Sequence, residues 1–60
     1  MNFVINSTKV NGQTLTANVT YTLANGYVCT IDVAIFQPKN LSDVEFACHS
    51  RGLTVQSQKG

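Results

Sequence analysis

Residues 13–23 read QTLTANVTYTL, and residues 27–35, after Ala24-Asn25-Gly26, read YVCTIDVAI. In the first stretch Leu15, Ala17, Val19, Tyr21 and Leu23 are apolar and Thr14, Thr16, Asn18, Thr20 and Thr22 polar. In the second, Tyr27, Cys29, Ile31, Val33 and Ile35 continue the apolar odd set. A period of two is the mark of a strand with one dry and one wet face. Parity then sets the loop between them. A two-residue turn would oppose Leu23 to Val28 and put each apolar side chain across from the wrong face. A three-residue loop pairs Leu23 with Tyr27, Tyr21 with Cys29, Val19 with Ile31, Ala17 with Val33 and Leu15 with Ile35, with Gly26 free to take the left-handed conformation that such a loop needs.

Upstream, Val10-Asn11-Gly12 has the same x-Asn-Gly form. A second three-residue loop there would pair Ile5 with Ala17 and Phe3 with Val19, whereas a two-residue loop would turn Asn6 and Thr8 onto the apolar face. The expectation is a meander of three antiparallel strands, roughly Asn2–Lys9, Gln13–Leu23 and Tyr27–Phe36.

The apolar sheet face needs a cover, and only the residues after Pro38, which cannot donate to a ladder, remain to supply it. Ser42-Asp43-Val44-Glu45 fits a capping box, Arg51 suits a helix end, and Gly52 suits the position that stops one. Leu41, Val44, Ala47 and Cys48 then share one helical face. The fold class expected is α+β, a three-stranded antiparallel meander with one helix on one face (β-β-β-α). Leu53–Gln56 would form a short last strand or extended tail, and residues 57–60 would fray. The rival is a small all-β sheet or barrel of five strands, because Val44, Phe46 and Cys48 also alternate with Asp43, Glu45 and His49.

Sixty residues make one domain, residues 1–60, near the lower size limit for a chain that folds alone. A net charge of +1 lacks the basic excess of a nucleic-acid or anionic-membrane binder. Lys9, Lys39, Arg51 and Lys59 are scattered along the chain, so a weak nucleic-acid-binding module using the outer sheet face and Arg51 stands only as the alternative. No membrane-length apolar run and no leader pattern follows Met1, and a cytoplasmic protein with two free thiols is expected. Asn6, Asn18 and Asn40 each open an N-x-[ST] match, which carries meaning only in a secreted eukaryotic protein.

Candidate chemistry is sparse. Cys29 and Cys48 are too few for a disulfide scaffold, and with one histidine they do not complete a zinc set. Cys48 and His49 point apart on a helix or a strand, so they do not form a nucleophile–base pair. Asp32, Asp43 and Glu45 make no placed acid–base pair. No cofactor, metal, small-molecule substrate or catalytic residue is expected. The outer face, rich in threonine, also carries Val4, Val28, Ala34 and Phe36, a candidate contact surface. These features point to a small non-enzymatic interaction protein that binds and modulates a larger protein or self-associates as a homodimer, through the first strand's edge or the Phe36 surface. A reading frame of this length opening on Met1 fits the accessory proteins of bacteria and bacteriophages.

Overall fold

The computed structural model describes residues 1–59. Three strands, β1 (Asn2–Asn11), β2 (Thr14–Thr22) and β3 (Val28–Phe36), form an antiparallel sheet in the order β1-β2-β3, and one helix, α1 (Leu41–Lys59), follows. This is the β-β-β-α arrangement. The all-β alternative is excluded, because residues 41–59 bond along their own axis as a helix.

The β2–β3 hairpin has the register that parity demands, with Leu15 opposite Ile35, Ala17 opposite Val33, Val19 opposite Ile31 and Tyr21 opposite Cys29. Leu23 N donates to Tyr27 O at 2.8 Å, and Gly26 N donates to Leu23 O at 3.0 Å, closing the three-residue loop. Gly26 has φ +88°, where an L side chain is strained and glycine is not.

The first hairpin corrects the sequence-based expectation. Asn11 pairs with Thr14, so the loop is Gly12-Gln13, two residues long. Gly12 alone of the two has positive φ, 64°, as the first position of a type II′ turn requires. Phe3 lies opposite Tyr21 and Ile5 opposite Val19, not opposite Val19 and Ala17. The ladder shifts by one between Ile5 and Ser7, and Asn6 is the extra residue. This bulge places Asn6 and Ser7 in succession on the outer side, which restores the apolar alternation for Ile5 and Phe3. Beyond it, Thr8 and Val10 share the side of Ala17 and Leu15 yet stay exposed, because β1 there runs past the helix.

The cap of α1 lies two residues before the Ser42 expected from sequence. Asn40 is the cap: its Oδ1 accepts from Asp43 N at 3.0 Å, while Asp43 Oδ2 accepts from Lys39 N at 2.9 Å. The paired bonds resemble a capping box moved upstream, and the Asp43 carboxylate also suits the positive end of the helix dipole. The strand therefore leaves for the helix through a short link in which Gln37 takes positive φ, 49°.

The helix also continues through Gly52, and Leu53, Thr54, Val55 and Gln56 are helical where a strand or tail was expected. Residues 57–59 complete it, and Gly60 of the expected frayed end lies outside the described residues. Gly52 is a packing residue, not a stop signal. A Cβ on it would lie 2.5 Å from Met1 Sδ and 2.7 Å from Tyr21 Cε1, so the helix comes down onto the sheet where only hydrogen fits.

Val44, Cys48, Gly52 and Val55 form the buried helical stripe and meet Ala17, Val19, Tyr21, Leu23, Val33 and Ile35 from the sheet. Leu41, expected on that stripe, is 67% exposed. Tyr21 is wholly buried and donates its hydroxyl to Cys48 O at 2.6 Å, which satisfies a phenol inside an apolar layer. Phe3 stacks obliquely on Tyr21, centroids 5.9 Å apart, and meets His49 at 6.4 Å.

Candidate contact surface

The helix covers one face of the sheet and leaves the other bare. On the bare face three strands bring together Val4, Asn6, Ser7 and Lys9 from β1, the even residues Thr14 to Thr22 from β2, and Val28, Thr30, Asp32, Ala34 and Phe36 from β3. Val4, Val28, Ala34 and Phe36 all lie here exposed, Val4 at 63%, Val28 at 58% and Phe36 at 69%.

Register decides how they relate. Val28 pairs with Thr22 at one end of β3, and Phe36 with Thr14 at the other. Eight positions at about 3.3 Å each separate them by roughly 26 Å. Between them runs a row of mutually bonded polar side chains. Asn6 Nδ2 donates to Asn18 Oδ1 at 3.0 Å and to Thr20 Oγ1 at 2.8 Å. Asn18 Nδ2 donates to Asp32 Oδ1 at 3.0 Å, and the Thr20 and Thr30 hydroxyls lie 2.9 Å apart. The bulge supplies this row by aiming Asn6 between Asn18 and Thr20. The four apolar residues are thus not one patch. Ala34 and Phe36 adjoin at one end, Val28 stands at the other, and Val4 pairs with Thr20 on β1. Parity identified the exposed residues; their separation depends on the cross-strand register.

Apolar exposure is not confined to the sheet. Phe46 is 74% and Leu53 51% exposed on the outer side of α1, spaced two turns apart. Val10, 69% exposed, lines a notch of about 440 Å³ with Leu15 and Pro38 where the sheet outruns the helix. The alternation of β1 gave no sign of this notch, because it depends on where α1 stops covering the sheet.

The thiols and basic residues complete the picture. Cys48 is buried on the inner stripe while His49 is exposed, so the two neighbours diverge. Burial, with Glu45 adding to it, pushes the Cys48 thiol above its ordinary range, which disfavours the thiolate. Burial, and then Cys48, hold the Tyr21 phenol protonated up to about 12. Cys29 is a free, half-buried thiol beneath the β3 edge. Lys9 projects from β1 on the outer side, Lys39 precedes the helix, Arg51 borders β3 and Lys59 ends α1, so they form no continuous strip. Among the described residues no three His, Cys, Asp or Glu side chains converge as a metal set, and no helix is long and apolar enough to cross a membrane. No protein family, curated protein or solved structure matches the chain.

Proposed function

We propose that this chain is a non-enzymatic interaction protein that works by contact with another protein surface, a partner's or its own. One observation carries the reading: a whole sheet face is left uncovered while Phe36, Val28 and Val4 stand on it more than half exposed. A 60-residue chain buries only about 60% of its unfolded surface, so association adds stability that the small core does not supply. Buried thiol chemistry is discouraged at Cys48, and the three carboxylates lie apart on β3 and α1.

The test is recovery of the tagged full chain from cells that express it naturally, with the mass of the complex measured in solution. A stoichiometric complex with a protein, its own copy included, is expected. Phe36→Asp should weaken it while leaving the melting temperature within about 4 °C, since substitution at an exposed site usually changes stability by under about 0.5 kcal/mol. A chain that stays monomeric and recovers no protein in stoichiometric amount refutes the reading.

A further inference from the structure

We infer that the free edge of β3 is the association surface and that its occupant is β3 of a second copy, joined antiparallel into a continuous six-stranded sheet. The inference rests on the proposed interaction function and specifies its partner.

The two edges of the sheet differ. β1 carries the Asn6 bulge and Lys9, two devices that blunt an edge against pairing. β3 keeps an unbroken register over nine residues with no proline and a single charge, Asp32. Leu23 N bonds Tyr27 O and Gln37 N bonds Gln13 O, both odd-numbered pairs flanking the β2–β3 ladder. By alternation the odd residues of β3 bond β2, and the even ones turn N–H and C=O to the open side. Those residues include Val28, Ala34 and Phe36, so three of the four candidate contact residues stand on the unpaired backbone.

The strand is also complementary to itself. In a two-fold pairing centred on Val33, Ile31 lies opposite Ile35 of the second copy and Val33 opposite Val33, which extends the apolar layer under the helices across the seam. Asp32 then lies opposite Ala34, clear of its own counterpart. A pairing centred on Asp32 would oppose the two carboxylates and is disfavoured. Asp32, Ala34 and Arg51 border one groove of about 480 Å³ between β3 and α1. In this register the groove's own Asp32 is joined by that of the second copy, set against Ala34, with Arg51 the one cation beside them, twice by symmetry.

Ala34→Asp and Ala34→Lys form a pair of variants at an exposed site, read by sedimentation velocity of the full chain with circular dichroism as the fold control. Wild type should form a reversible dimer of twice 6.5 kDa. Ala34→Asp faces Asp32 of the other copy at both ends of the seam and should weaken the dimer about tenfold or more, whereas Ala34→Lys should hold it at wild-type strength or tighter. Ala34→Pro removes an outward N–H without touching the β2 ladder and should give a folded monomer. A dimer indifferent to the sign of the charge at position 34, or one abolished only by Phe46→Asp, overturns the β3 edge while leaving the interaction function standing. Wild type monomeric at about 1 mM overturns the second copy as occupant, and a foreign protein recovered in stoichiometric amount would then preserve the broader reading.

Discussion

Replacing Gly52 by alanine sets two magnitudes against each other. Gly52 is in mid-helix, so alanine should gain about 1 kcal/mol of helix propensity. The added Cβ, however, would lie 2.5 Å from Met1 Sδ, 2.9 Å from Met1 Cε and 2.7 Å from Tyr21 Cε1, where carbon contacts are optimal at about 3.5–4.0 Å. Met1 has a flexible thioether at the chain start and can swing aside. Tyr21 cannot: its ring is wholly buried and its hydroxyl is held 2.6 Å from Cys48 O on the same helix. The helix must lift by about 1 Å or the ring must leave its place, a kind of overpacking that costs about 1–3 kcal/mol. With three contacts below 3 Å and one of them to an immobile ring, the cost belongs at the upper end of that range. Gly52→Ala should thus destabilise by about 2 kcal/mol net, a fall of roughly 8–16 °C in melting temperature for a domain of this size. Thermal unfolding followed by circular dichroism reads it, with Thr54→Ala on the exposed side as the control that gains a few tenths of a kcal/mol. Removing the ring should relieve the clash, so Tyr21→Leu and Gly52→Ala should lose less together than the sum of their separate losses. An unchanged or raised melting temperature for Gly52→Ala alone would refute the close approach.

Three further outcomes are expected. Tyr21 titrates at about 12 in the folded chain against an ordinary 10, so its contribution is complete below pH 10 and is lost as pH rises toward 12. Two units correspond to about 3 kcal/mol, and denaturant unfolding across pH 8–11 should show an alkaline decline that Tyr21→Phe flattens. Asn40→Ala should cost about 1 kcal/mol by removing the helix cap, whereas Ser42→Ala should be nearly neutral; equal effects in chemical unfolding would contradict the cap assignment. Gln37 sits at φ +49°, and Gln37→Gly should leave stability unchanged or raise it by up to about 1 kcal/mol, where glycine on a flat strand would lower it.

The β2–β3 hairpin was legible because every odd strand position from Leu15 to Leu23 and from Tyr27 to Ile35 is apolar and the loop glycine agrees with that parity. The β1 register was not, because parity arguments assume an uninterrupted ladder, and the extra residue at Asn6 absorbs the mismatch that seemed to exclude a two-residue turn. Near that turn Thr8 does face the apolar side, harmlessly, since no helix lies over it. The end of α1 was misplaced for a related reason. A glycine after a basic residue carries the same local signal whether it stops a helix or admits a tyrosine ring, and only the tertiary contact tells them apart. The start was misplaced because Asn40 and Ser42 are both good caps and the link from Pro38 selects between them. Of the candidate surface, the exposed residues followed from alternation, but their division into two ends and the difference between the two sheet edges required the register.

The amide and hydroxyl row across the bare face carries one more consequence. Asn6, Asn18, Asp32, Thr20 and Thr30 already satisfy one another, so a polar ligand settling there would have to break bonds as good as those it forms. An apolar one would strip the remaining water from groups that keep only the bonds of the row. The middle of the sheet therefore offers a visitor little, and under the proposed function contact is expected at the apolar ends of the face and along the rim, where backbone groups lack protein partners.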